Sequence, residues 1–238
     1  MTSLSFRLQA GAGVGIRQLG EGMLYKDKLD WIVPFVKGRK VLDLGCVRHT
    51  LDETEKSHWL HGIIRNEAKF VLGVDYLQDA VDKLRERGYN VVCANVETMD
   101  LGDTFDVIVA GDLIEHLNNF GMFLERVSAH LADGGIAVIT TPNPVNLLRF
   151  VSILVRGEAG ANPEHTCWFT EQVMKQLVDR YGLEVAEIAY VDDTYQYYPK
   201  SNLKWLPFLV MNYLLVRIRH QFAETLCVVL RDKRQSGA

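Results

Sequence analysis

The sequence predicts an α/β fold, a doubly wound and mostly parallel sheet. Three observations carry it. Short apolar runs, Val41-Leu42 with Leu44, Phe70–Val74 and Val107–Ala110, have the length and composition of strands buried on both faces. Amphipathic stretches alternate with them: Leu77, Val81 and Leu84 form one stripe, and Phe120, Phe123, Leu124, Val127 and Leu131 form another. The first two runs also end beside acids, Asp43 near the end of one and Asp75 closing the other. Parallel strands with acids at their carboxyl ends build the crevice in which open α/β sheets bind nucleotides.

Each element follows in order. Gly11-x-Gly13-x-Gly15 has no strand before it and is no phosphate loop, so residues 1–22 read as a leader. From Tyr25 to Val36 the spacing of Leu29, Ile32, Val33 and Val36 predicts a helix over a sheet edge. The strand at 40–44 breaks at Gly45, where the backbone turns tightly. Trp59, Leu60, Ile63 and Ile64 share one helical face, with Thr54 and Ser57 as candidate caps. His49, His58 and His61 read as solvated or capping residues, since no cysteine or acid completes a metal set with them. Gly88 caps the helix after Asp75, and a strand over Asn90–Ala94 leads into Asn95-Val96-Glu97. Asn95 offers a donor and an acceptor to a ligand, and a plain Asn turn accounts for it equally well.

Phe105–Leu117 is the second informative stretch. Gly111 lets the chain leave a central strand, and Asp112, Glu115 and His116 follow at i, i+3 and i+4. They share a face if a helical turn begins there, beside any ligand in the crevice. The helix Phe120–Leu131 stops at Asp133-Gly134-Gly135, and the strand Ile136–Thr140 runs into Thr141-Pro142-Asn143-Pro144. Residues 145–164 read as a helix and loop above the crevice. Thr170 caps a helix that ends at Gly182, and strands follow at Leu183–Val191 and Glu224–Leu230.

Composition bounds the rest. At 238 residues, 48% hydrophobic and 24% charged, the chain suits one large domain. Its expected parts are a leader and helix (1–36), a ligand-binding core (37–190), an apolar segment (191–222) and a last strand with a tail (223–238). A net charge of −4 argues against a general nucleic-acid surface. Cys46, Cys93, Cys167 and Cys227 show no paired spacing and read as free thiols in a reducing compartment. No signal peptide is visible, so a cytoplasmic location is expected. The run Trp205–Val216, flanked by Lys204, Arg217, Arg219 and His220, is shorter than the ~20 residues that span a bilayer. It suits an interfacial helix, giving a peripheral position at the inner membrane face, or equally a helix packed on the sheet or a second subunit. Oligomeric state stays open.

Lys40–Cys46 together with Asp75 resembles class I S-adenosylmethionine-dependent methyltransferases, although Val47 and His49 stand where that family usually has glycine. Phe105–Pro144 resembles the ubiquinone-biosynthesis-like group of small-molecule and glycan methyltransferases. It shares the Phe-Asp-Val-Ile run, Glu115-His116-Leu117, Gly134-Gly135 and Thr141-Pro142-Asn143-Pro144. The resemblance covers roughly residues 40–190. It implies a Rossmann-like sheet of seven strands whose last strand is antiparallel. It implies S-adenosylmethionine held by Asp43, Gly45, Cys46, Asp75, Tyr76, Asn95, Val96 and Gly111, with Asp75 on the ribose diol. The expected reaction is O-methylation of a small-molecule, sugar or lipid-linked acceptor, with His116 and His165 catalytic.

Asp112, Glu115, His116 and the distant His165 also resemble the metal set of small-RNA 2′-O-methyltransferases. That likeness implies Mg, Mn, Fe or Zn on these four residues, and a metal-dependent RNA methyltransferase is one alternative. Glu115 orienting a lone His116 base is the metal-free reading. A cofactor-binding module without catalysis is another alternative, raised by Val47 and His49. An unrelated dehydrogenase is disfavoured by the Phe105–Pro144 pattern and the missing glycine fingerprint.

Overall fold

The computed structural model describes residues 22–47, 54, 58–194 and 203–235. The glycine-rich leader, His49 and Ser57 lie outside these residues. In chain order the elements begin with β1 (Met23–Tyr25), α1 (Lys28–Val36), β2 (Lys40–Leu44), α2 (Leu60–Glu67), β3 (Phe70–Asp75), α3 (Gln78–Glu86) and β4 (Val91–Cys93). They continue with β5 (Phe105–Gly111), α4 (Phe120–His130), β6 (Leu131–Pro142), α5 (Leu147–Arg156), α6 (Glu171–Asp179), β7 (Leu183–Val191), α7 (Leu206–Ile218) and β8 (Thr225–Asp232).

The strands form one sheet in the order β1-β7-β8-β6-β5-β2-β3-β4. β8 runs antiparallel to both β6 and β7, and every other pairing is parallel. All seven expected strands are present, and β1 adds an eighth at the edge. Tyr25 therefore belongs to a strand, and the helix expected from that point starts only at Lys28, where the Asp27 carboxylate accepts the Leu29 N–H at 2.8 Å.

Alternation along the strands sorts the core into two layers. On one face Leu42, Leu44, Ile108, Ala110 and Ile139 pack with Phe123, Leu124 and Val127 of α4 and Met174 and Val178 of α6. On the other, Val41, Val71, Val107, Val109 and Val138 meet Trp31, Ile32 and Val36 of α1 and Ile64 of α2. Over Val107–Ala110 the odd and even residues of β5 thus serve opposite layers, which is why that run is apolar throughout. α2 starts at Leu60 with no side-chain cap, and Thr54 is buried upstream of it. The four cysteines are free, Cys46 and Cys227 among the buried residues. No helix among the described residues is long and apolar enough to cross a membrane.

Candidate active site

The carboxyl ends of the parallel strands form one edge of the sheet, and the expected ligand residues gather there in two groups. Around β2, β3 and β4 the chain is stitched by its own backbone. Gly45 takes φ +76°, a left-handed turn that favours glycine. The N–H groups of Gly45 and Cys46 both donate to the Val74 carbonyl, at 2.8 and 3.2 Å. Asp75 ties the same turns from the other side. Its Oδ2 accepts the Val47 N–H at 2.9 Å and its Oδ1 the Leu77 N–H at 3.1 Å. An ionised carboxylate has about four lone-pair sites, so two remain for a diol.

Asp43 does something different. Its carboxyl is 2% exposed and pairs with His61 Nδ1 at 2.9 Å. Burial pushes the Asp43 carboxyl up, and the hydrogen bond from His61 opposes that shift. The expectation that His61 is solvated or capping is corrected: it is 1% exposed, inside the fold. Gly73 makes the room, since a Cβ there would stand 2.7 Å from His61 Cε1 and 2.8 Å from Cys46 Sγ. The Cys46 thiol is buried, and desolvation pushes its pKa up, so it is an inert wall.

Tyr76 is exposed, whereas Val96 is buried. Asn95 adopts the plain turn: its Oδ1 accepts the Glu97 N–H at 2.8 Å and its carbonyl accepts those of Thr98 and Met99. Glu97 then accepts the N–H groups of Asn118 and Asn119 at 2.8 and 2.7 Å, tying this turn to the start of α4. Gly111 admits Leu60, whose Cδ2 would lie 2.7 Å from an added Cβ.

The second group sits past β5. The helical turn spans Ile114–His116, and Asp112 precedes it at φ +49°. That conformation turns its carboxylate to Lys28, with which it forms an ion pair, and to the Thr140 hydroxyl, which donates at 2.8 Å. Asp112 therefore stands outside the expected four-residue set. Glu115, His116 and His165 do converge, with one ligand atom from each within 4.8 Å of the others. Glu115 is fully buried and accepts from the Thr141 hydroxyl at 2.9 Å, while its Oε1 has no hydrogen-bond partner. Burial, with Asp112 nearby, pushes its carboxyl up to about 8.

Thr166 donates its N–H at 2.8 Å and its hydroxyl at 3.1 Å to the Glu115 carbonyl, which pins the loop carrying His165. The His116 and His165 rings meet edge to face with centroids 4.6 Å apart. His165 Nδ1 is buried without a partner, and desolvation followed by His116 disfavours its protonation. Its dependence on His116 is geometric, since the two rings touch.

Further polar groups line the same edge beyond β6. Asp193, after β7, is 4% exposed and its Oδ1 has no partner. Glu224, just before β8, is pushed up to about 7, by burial first and then by Asp193, with Arg149 opposing. Sequence patterns single out none of Lys28, Asp193 and Glu224, and they read His61 as solvated or capping. The Asp192-Asp193 pair obeyed the same acid-at-the-strand-end rule as Asp75 and could have been found. Lys28 and His61 reach their partners only through the tertiary fold.

A sequence profile described as a methyltransferase domain matches residues 21–188. A ubiquinone biosynthesis O-methyltransferase from a Bradyrhizobium species is 33% identical over 114 residues, 45% of this chain and 42% of that protein. The mitochondrial ubiquinone biosynthesis O-methyltransferase of Rattus norvegicus is 26% identical over 170 residues, 65% of this chain and 47% of that protein. The chain spans less than half the length of either relative. Among solved structures, a SAM-dependent methyltransferase from Archaeoglobus fulgidus superposes with a TM-score of 0.54 at 20% identity, covering 85% of this chain and 90% of that one, a likeness of fold. The profile covers well over half of the sequence, and its span takes in both strand-end acids and the Glu115-His116 turn: the chain belongs to the methyltransferase-domain family, among the class I S-adenosylmethionine-dependent methyltransferases.

Proposed function

We propose that the protein transfers a methyl group from S-adenosylmethionine to an oxygen of a small-molecule, sugar or lipid-linked acceptor. The observation that carries this reading is the convergence of Glu115, His116 and His165 at the carboxyl end of β5, with Glu115 Oε1 and His165 Nδ1 both buried and unpartnered. Buried polar atoms without partners cost free energy, so a site that keeps two of them side by side is shaped for something that satisfies both. One carboxylate and two imidazoles suit Mg, Mn, Fe or Zn, and the trio is the set that would hold such an ion. When bound, a divalent metal lowers the pKa of a ligated hydroxyl and makes it a nucleophile at neutral pH.

The chain's own groups carry the rest. Asp75 positions the cofactor by its ribose, and the turn at Gly45–Val47 is fixed by that same carboxylate. The acceptor oxygen attacks the methyl carbon in line, the carbon–sulfur bond breaks, and its electron pair stays on sulfur as S-adenosylhomocysteine leaves. Thr141 holds Glu115, and Thr166 holds the loop of His165, so the three groups keep their spacing without a ligand. The ubiquinone O-methyltransferase relatives support oxygen as the acceptor atom.

A second reading has a specific observation behind it. His116 is only half-buried and lies against His165, whose protonation is disfavoured, so His116 can take the acceptor's proton as a lone base. Exhaustive chelation followed by adding back Mg or Mn separates the two. Loss of methyl transfer on chelation with recovery on add-back supports the metal. Full activity after chelation, together with loss in His116→Ala, removes the metal and leaves the base. Absence of any S-adenosylmethionine binding in calorimetry would overturn the enzyme reading altogether.

A further inference from the structure

We infer that α5 and α7 together form a docking face for an anionic lipid bilayer, and that this face sits beside the mouth of the candidate site. Twelve of the sixteen exposed large hydrophobic residues among the described residues fall in two short segments, 145–155 and 205–218. On α5, Phe150, Ile153, Leu154 and Val155 face outward, the last two about three quarters exposed (75% and 74%). On α7, Leu209, Asn212 and Val216 form the inner stripe, while Leu206, Val210, Leu214 and Ile218 form an outer apolar stripe. A helix apolar on both faces normally has both covered. Among the described residues only the inner face is.

Topology puts the two helices together. α5 leaves the carboxyl end of β6, and α7 lies between Val191 and Thr225, which pair at the same edge of the sheet. Asn143, at the root of α5, donates to the carbonyls of Gln221 and Ala223, just past α7, both at 2.7 Å. Glu115, His116 and His165 lie at that edge too, Glu115 buried and the two imidazoles half-buried.

Charge selects the occupant. Segments 145–157 and 203–222 contain no Asp or Glu, in a chain whose net charge is −4. Four exposed bases border the apolar stripes: Arg156 after α5's outer face, and Lys204, Arg217 and Arg219 around α7. Such a surface complements an anionic headgroup layer. A second copy of the chain is disfavoured, because a two-fold contact through this face would bring two like-charged basic patches together. Trp205 and Tyr213 add amphipathic rings suited to the headgroup level. α7 is 13 residues long, so it lies on the bilayer and does not cross it. The inference is independent of the acceptor atom and of any metal.

The test is co-sedimentation of the full chain with vesicles of phosphatidylcholine alone and of phosphatidylcholine with phosphatidylglycerol. Binding to the anionic vesicles at low salt, with release at high salt, is expected. Arg217→Gln with Arg219→Gln should weaken that binding by about 25-fold, about fivefold per base. Leu154→Glu with Leu214→Glu should abolish it while leaving the circular dichroism spectrum and melting temperature unchanged, since both side chains are exposed. Sedimentation equal with and without phosphatidylglycerol overturns the proposal, as does anionic binding that neither double variant affects. A lipid-free dimer that Leu154→Glu with Leu214→Glu splits, with no vesicle binding, gives the face to a second copy and overturns it too.

Discussion

Asp75→Ala is the most informative single change, because one carboxylate has two duties there. From the sequence alone it holds a ribose diol, and its loss would leave the fold intact. The structure adds two backbone donors, the N–H groups of Val47 and Leu77, which lose their acceptor in the variant. Val47 is fully buried, so its N–H incurs the penalty of an unmade buried hydrogen bond, about 1–3 kcal/mol. Leu77 is half-buried and water can partly replace the lost acceptor there, so its share is smaller. Together the loss of stability is about 2–4 kcal/mol, a fall of roughly 5–15 °C in melting temperature for a domain of this size. Cofactor affinity should drop separately by about 1.5–3 kcal/mol, roughly 10- to 150-fold. Urea denaturation of the cofactor-free protein measures the first effect, and calorimetric titration with S-adenosylmethionine measures the second. Asp75→Asn keeps one acceptor oxygen and should fall between. A native denaturation midpoint in Asp75→Ala would refute the stitching role. Lowered stability with native affinity would place the ribose elsewhere.

Three further outcomes follow from the buried polar groups. His61→Ala leaves the Asp43 carboxyl buried without its partner and should cost about 1–3 kcal/mol. In that variant the folded-state carboxyl is raised further, so the loss should grow as pH rises above the ordinary carboxylate range, and urea midpoints at pH 5 and pH 8 check it; a pH-independent loss would mean packing alone. Glu224, pushed up to about 7, keeps its proton in the folded state while the unfolded chain gives it up, so it withdraws stability as pH rises from about 4.5 to about 7. Glu224→Gln should flatten that part of the stability profile, and an unchanged profile would show that Glu224 titrates normally. Gly73→Ala drives a methyl to within 3 Å of His61 Cε1, Cys46 Sγ and Val91 Cγ1 and should cost about 1–3 kcal/mol by scanning calorimetry.

The parts of this molecule that were legible in the sequence are those set by local pattern. The β5 run, the α4 stripe and the Thr170 cap needed only periodicity and neighbours, and they stand where expected. Met23–Tyr25 was unreadable as a strand, because three half-buried residues have no period and pair only once β7 is in place. At the site, Glu115 and His116 came from one turn, and their approach to His165 depends on Thr166 pinning a loop fifty residues away to the Glu115 carbonyl. Asp112 misled for a backbone reason. Spacing of i, i+3 and i+4 puts three residues on one face only if all three are helical, and the turn starts after Asp112. His61 misled because its partner, Asp43, lies on a different element, and no spacing within α2 announces a buried hydrogen bond to it.

The place of β8 in the sheet also sets how the chain reaches its native form. β7 and β1 join the other strands only through β8, which is the last strand in sequence. Until it seats, β6 and β7 are both open edges, one bearing Val138 and Ile139 and the other Ile188 and Tyr190. Open apolar edges template pairing with other chains. Seating β8 closes both at once, at the cost of ordering the α7 segment that separates it from β7. The half built on β2, β3 and β5 holds parallel pairs that do not depend on β8, so β8 alone decides whether β6 and β7 are left as open apolar edges.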